Sequence, residues 1–339
     1  MAFMKYRFII VSILAIVLVV FATGCGESGT EMTLDLAYGE KIGTYDGEVN
    51  ENGLPEGTGS FSTENSEGVK WIYTGEFVNG HFEGKGEITW ENGQKEIGTY
   101  HNDVLKPEPK KNIKKMYRSP DEYKYHCFEI TGLVFNVVGY SDGYLQFQIY
   151  EDIDKTGNNT VVLFEEDMDL SQGDYVRIKG ISQGSIDYEN VVGGNVSAVA
   201  FLADSVEKIS YKEAAAPTKK KVKVNKSDSH YGYKVTVKKV EFAEKETRVY
   251  VRVDNGGNYN VHFFDFNSIA VQGGKQYSTE ENYMADYPEL ETDLRPGNNT
   301  EGVVVFPKLK KKDFSFIITG YSDSGWESMQ EYKIDIKVN

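Results

Sequence analysis

Cysteine, proline, histidine and basic charge are all scarce in this chain. Its 339 residues include two Cys, eight Pro and five His. Two cysteines allow one disulfide at most, so the domains must hold by ordinary packing. None of His81, His101, His126, His230 or His262 lies in a His-x-x-x-His or similar metal-ligand spacing. Gly139-Tyr140-Ser141-Asp142-Gly143 has the letters of Gly-x-Ser-x-Gly but joins two strand candidates rather than a strand to a helix, so it is no nucleophile elbow, and no Cys-His signature surrounds Cys127. Asp and Glu occur throughout, without a pair that stands out as acid and base. The expectation is a protein that is not an enzyme, with no catalytic residue and no metal. Lys and Arg number 37 against 52 Asp and Glu, a formal charge of −15. That balance does not suit general nucleic-acid binding, and no nucleic-acid partner is expected. After the N-terminus no run is long and apolar enough to span a bilayer. No amphipathic helix stands out.

What is present begins at the N-terminus. Lys5 and Arg7 precede an apolar run from Phe8 to Ala22 that is broken only by Ser12. Small residues follow, Ala22-Thr23-Gly24, and then Cys25. A charged start, a short apolar stretch and small residues before a cut are the features of an export signal. A spanning helix needs about 20 apolar residues, and this run is shorter. Ala22, Thr23, Gly24 and Cys25 resemble the lipobox of bacterial lipoproteins. The resemblance implies removal of residues 1–24, a covalent lipid on Cys25, and attachment to the extracytoplasmic face of the cell membrane. It also leaves Cys127 without a disulfide partner. No other cofactor is expected.

The rest reads as all-β. Aromatics are plentiful (23 Tyr, 18 Phe), Gly is plentiful, and period-2 alternation recurs from Tyr45 to the end. Two basic stretches, residues 106–117 and 211–229, read as linkers from their runs of like charge and their prolines. They divide the chain into a tether (25–37), a Gly-rich domain (38–105), a middle domain (118–210) and a C-terminal domain (230–339). In the Gly-rich domain Tyr45, Tyr73 and Tyr100 recur 28 and 27 residues apart, and Gly57-Thr58-Gly59 returns as Gly84-Lys85-Gly86. Asn52-Gly53, Asn79-Gly80 and Asn92-Gly93 mark hairpin turns. A fixed period of this length implies stacked hairpin units. The stretch from Tyr73 to Gly86 resembles the MORN repeat, with Tyr-x-Gly, Asn-Gly and Gly-x-Gly at its offsets. Residues 26–105 hold sixteen Asp and Glu against four Lys. That charge argues against a lipid-binding role for these repeats and for a spacer or protein-contact ribbon. Tyr45, Trp71, Tyr73, Trp90 and Tyr100 read as stacking core.

In the middle domain, strands are expected at Phe128–Val138, Tyr144–Tyr150, Thr160–Phe164, Asp174–Ile181 and Ala198–Ile209. Five strands with the phrase Gly173-Asp174-Tyr175-Val176-Arg177-Ile178-Lys179-Gly180 resemble an OB-fold, a small barrel that hosts oligonucleotide and oligosaccharide sites. Six strand candidates fill the C-terminal domain, among them Val261–Val271. Its phrase Arg248-Val249-Tyr250-Val251-Arg252-Val253-Asp254-Asn255 resembles the immunoglobulin-like sandwich found on Gram-positive surface lipoproteins. That resemblance implies a fold and a location and no chemistry.

One candidate ligand face emerges. Alternation puts Leu145, Phe147 and Ile149 inside the barrel and Tyr144, Gln146, Gln148 and Tyr150 on its outer face. Tyr rings stack on sugars, and Gln both donates and accepts hydrogen bonds. Asp152-Ile153-Asp154-Lys155-Thr156-Gly157 opens like a calcium loop but has Thr156 and Leu163 where the template needs acidic ligands, so it reads as a polar hairpin turn. The functional expectation is a membrane-anchored lipoprotein that binds a cell-wall glycan, a peptide or an envelope protein. A structural spacer and a solute-capturing lipoprotein of a transporter are the alternatives.

Overall fold

The computed structural model describes residues 29–189, 194–324 and 330–338. The chain is all-β and divides into two compact units after Lys208. Residues 22–25, with the lipobox and its cysteine, lie outside the described residues.

In the first unit, seven antiparallel strands form one sheet in chain order: β1 (Thr30–Leu36), β2 (Gly39–Val49), β3 (Pro55–Glu64), β4 (Lys70–Val78), β5 (His81–Trp90), β6 (Lys95–His101) and β7 (Val104–Lys106). The segment read as a tether is therefore strand from Thr30 onward. Its alternating Leu34 and Leu36 are buried in the sheet's core. Only the Asn79-Gly80 turn has positive φ at both central residues, 49° and 86°. The other two Asn-Gly turns place positive φ at Gly53 and Gly93 alone, as in a type I turn closed by a bulge.

The repeat has a steric explanation. Tyr73 is fully buried, its ring stacked on Phe82 with centroids 3.8 Å apart. The same ring lies over Gly75 and over Gly86 of the neighbouring strand, where any Cβ would fall inside contact distance. Tyr45 covers Gly47 and Gly59 in the same way. Gly86→Ala is expected to cost about 1–3 kcal/mol through overpacking, read as a lowered denaturation midpoint. An unchanged midpoint would contradict this account of the Gly-x-Gly pattern.

Five strands close a barrel in the order β10-β12-β11-β8-β9: β8 (Cys127–Ser141), β9 (Tyr144–Asp152), β10 (Gly157–Phe164), β11 (Tyr175–Glu189) and β12 (Asn195–Ile209). β10 runs parallel to β12. The stretch read as a basic linker is largely a helix, α1 (Lys110–Arg118). Ile113, Met116 and Tyr117 share one face of it by their three- and four-residue spacing. Met116 is fully buried in the barrel core, and Ile113 and Tyr117 pack against that core. Burying such a side chain contributes about 2 kcal/mol, and the lysines fall on the solvent side. The barrel also packs directly on the sheet. Cys127 and Ile181 belong to the sheet's core, and the Ile97 N–H donates to the Tyr125 carbonyl at 2.8 Å.

The second unit is a two-sheet sandwich. One sheet has the order β13 (Thr218–His230), β14 (Tyr233–Ala243), β15 (Glu246–Asn255), β20 (Asn299–Pro307). The other has the order β18 (Lys275–Ser278), β17 (Ile269–Gln272), β21 (Phe314–Ser322), β16 (Val261–Phe263), β19 (Asp293–Leu294), with β22 (Gln330–Ile336) also on β21. Val237, Val251 and Phe306 from the first sheet meet Phe263, Phe316 and Ile334 from the second in one core. Residues 211–229, read as a linker, supply a short helix, α2 (Tyr211–Ala214), and most of β13. Val222 and Val224 pack on the core while the intervening lysines face out. A Lys-rich edge strand also resists pairing with other chains. The stretch Val261–Val271, read as one strand, is split by a 3₁₀ turn at Asp265–Asn267 into β16 and β17.

Candidate functional site

The barrel face expected to bind is largely satisfied within the protein. Leu145, Phe147 and Ile149 lie in the barrel core. Gln148, expected to point to ligand, is buried, and its Oε1 accepts from Asn136 Nδ2 at 2.9 Å. Tyr150 stacks on Phe135 with centroids 3.9 Å apart. Tyr144 and Gln146 are half-buried. Residues 153–156 form the turn of the β9–β10 hairpin, with Lys155 Nζ 3.5 Å from Asp152. Among the described residues no group of His, Cys, Asp and Glu is arranged to hold a metal ion.

A cavity of about 350 Å³ opens where the seven-stranded sheet meets the barrel. Trp71 and Trp90 sit opposite each other on β4 and β5, their ring centroids 5.9 Å apart. Together with Tyr38 and Tyr100 they make an aromatic wall. The barrel brings Cys127, Lys179 and Asp204 to the same space, and β6 brings Glu96.

Asp103 fixes one end of this wall. Its buried carboxylate accepts from the backbone N–H of Phe82 at 2.7 Å and of Ala37 at 2.9 Å, with His81 Nδ1 at 2.8 Å. One carboxylate thus ties the β1–β2 turn to β5 and orients Tyr38 beside the opening.

The electrostatics are those of a site with too few cations for its acids. Burial raises the Glu96 carboxyl above the ordinary range, and the nearby Asp204 charge adds to this. Hydrogen bonding from Trp90 and the charge of Lys179 oppose it. Asp204 stands at the mouth, yet crowding by protein raises its carboxyl too, with Lys179 opposing and Glu165 reinforcing. Burial pushes the Cys127 thiol up to about 12, so it stays protonated and a poor nucleophile. Aromatic faces ringed by a few convergent polar groups are the usual make-up of a small-ligand site.

Glu96, Lys179 and Asp204 carry no local sequence signal. They come from three strands of two different sheets and meet only through tertiary packing. The one available hint was Trp71 and Trp90, which hairpin register sets side by side and which read as core.

Residues 73–95 match the MORN repeat. No curated protein matches the chain. Among solved structures, the chain is similar to a functionally unknown protein from Listeria monocytogenes EGD-e. The identity is 8% and the TM-score 0.32, covering 39% of this chain and 94% of that one. It is also similar to a conserved domain protein from Bacillus anthracis. There the identity is 10% and the TM-score 0.29, covering 88% of this chain and 92% of that one.

Proposed function

We propose that this chain is a lipid-anchored extracytoplasmic binding protein. The barrel would be of OB type and the second unit an immunoglobulin-like sandwich. The five-strand order with its parallel β10–β12 pair supports the first assignment, and the two facing sheets support the second. The observation that carries the function is the cavity walled by Tyr38, Trp71 and Trp90 with Glu96, Lys179 and Asp204 converging on it. Its volume is near the lower end of the ligand-pocket range, which suits a short fragment such as one or two sugar rings. The apolar face of a sugar stacks on Trp, and carboxyls and an ammonium bond its hydroxyls.

The test is a titration of the protein with solubilised cell-wall fragments. Trp90→Ala is expected to weaken saturable binding about tenfold or more, the scale of one lost stacking contact of roughly 1–3 kcal/mol. Tyr144→Ala/Tyr150→Ala should leave it unchanged. The opposite pattern would move the site to the barrel face. Absence of saturable binding in the parent protein would favour a spacer. Saturation by a small free solute instead would favour the transporter reading.

A further inference from the structure

The outer face of the four-stranded sheet carries a second groove, of about 420 Å³, built quite differently from the cavity. Lys221 and Lys223 line it from β13, Lys238 and Lys239 from β14, and Tyr250 and Val303 contribute to its floor. Four lysines gathered on one face stand out in a protein whose net charge is −15. Lys223 sits directly opposite Lys239 in the strand register, and like charges facing across strands are destabilising. A bulge adds to the cost. β14 carries one more residue than β15 between Val237 and Lys239, so Lys238 and Lys239 both lie off the core while Val237 and Val240 stay buried. Bulges of this kind re-aim side chains.

Local carboxylates neutralise the groove only in part, although Lys221 faces Glu241 in the strand register. Glu301 is shared between Lys238 at 2.9 Å and Arg252 at 3.1 Å. Glu241 lies beneath, bound by Lys212, Lys239 and the Tyr250 hydroxyl. Lys221 and Lys223 are exposed at the rim.

We infer that this groove binds a single chain of a phosphodiester-type polyanion. The lining cations are all lysines. Ammonium groups act as point charges that phosphate oxygens accept from any side, and the lining holds no arginine fork for bidentate pairing with a carboxylate. A concave groove also fits one flexible chain better than a flat plane of headgroups. The inference concerns the second unit and stands apart from the cavity, so either can fail alone.

The experiment is titration of the full chain, in non-ionic detergent, with inorganic polyphosphate and with polyglutamate of matched charge. Polyphosphate is expected to bind saturably and to weaken as salt rises. Lys221→Glu/Lys223→Glu should weaken it at least about tenfold, given the usual scale of a lysine near an anionic surface, while the second unit still melts cooperatively. Trp90→Ala should bind polyphosphate like the parent. Three results would each overturn the inference: no polyphosphate binding, equal binding by the double variant, or polyglutamate binding as tightly as polyphosphate. The last would point to an acidic peptide as the partner.

Discussion

Arg248→Ala is expected to lower the melting temperature of the second unit by on the order of 10–20 °C. Arg248 is fully buried, the largest such side chain among the described residues. Its Nη2 donates to Thr218 Oγ1 at 2.7 Å and its Nη1 to the Tyr287 hydroxyl at 2.9 Å. Glu246 and Glu241 lie 3.2 and 3.3 Å from its guanidinium. Tyr287 and Asn282 in turn bond Glu246. The guanidinium therefore ties β13 and the segment between β18 and β19 to the outside of β15. Removing one partner of a buried ionic network leaves the others buried and uncompensated, at about 3–5 kcal/mol, which in a unit of this size gives the stated shift. Arg248→Lys keeps the charge but cannot reproduce the fork, so it should fall between parent and Ala. Calorimetry checks both, and an Ala variant melting within a few degrees of the parent would refute the network's role.

The same network sets an acid limit. Burial pushes the Glu241 carboxyl up, but hydrogen bonds from Lys212, Lys239 and Tyr250 together outweigh this and take it down to about 2, from an ordinary 4.5. A carboxyl depressed in the folded state stabilises that state above its unfolded value. This contribution is lost as pH falls from about 4.5 through 2. Glu96 and Asp204 have the opposite sign. Their raised carboxyls take up protons in the folded state first, so their burial penalty is relieved by mild acid. Acid should therefore weaken the second unit through Glu241 while easing strain at the cavity.

Local chemistry made part of this structure readable in the sequence. The Tyr45, Tyr73, Tyr100 period follows from a ring that needs glycine beneath it and on the next strand, a constraint written into adjacent residues. The alternation of Leu145, Phe147 and Ile149 is likewise a two-residue rule. Charge concealed the rest. Lysines dominate 106–117, so the Ile113-Met116-Tyr117 stripe was hidden, although its spacing suits a helix. Lysines also hid β13, where Val222 and Val224 carry the strand signal. Arg248 projects from the outer face of an alternating strand, where a polar side chain ordinarily meets solvent. What buries it is a segment about 40 residues further along the chain, around Tyr287, for which β15 itself holds no cue. The cavity is the extreme case, since Glu96, Lys179 and Asp204 meet only once barrel and sheet have docked.

Cys25→Ala is expected to abolish fatty-acid labelling of the protein completely. The proposal rests on Ala22, Thr23, Gly24 and Cys25 following a charged and apolar start. A variant without the thiol has no acceptor for the lipid. It should also keep its N-terminal peptide and migrate as a larger species. Metabolic labelling with a clickable fatty acid, read by gel fluorescence, checks both, and label retained on the variant would refute the anchor. The strand structure sharpens what the anchor would do. With β1 starting at Thr30, only residues 26–29 lie between Cys25 and the sheet, a reach of at most roughly 17 Å. A lipid on Cys25 would thus keep the acidic sheet within about two Debye lengths of the headgroups at physiological salt, where an anionic surface repels it more strongly as salt falls. The anchor would then act against that repulsion, and the domain itself would need no membrane-binding surface.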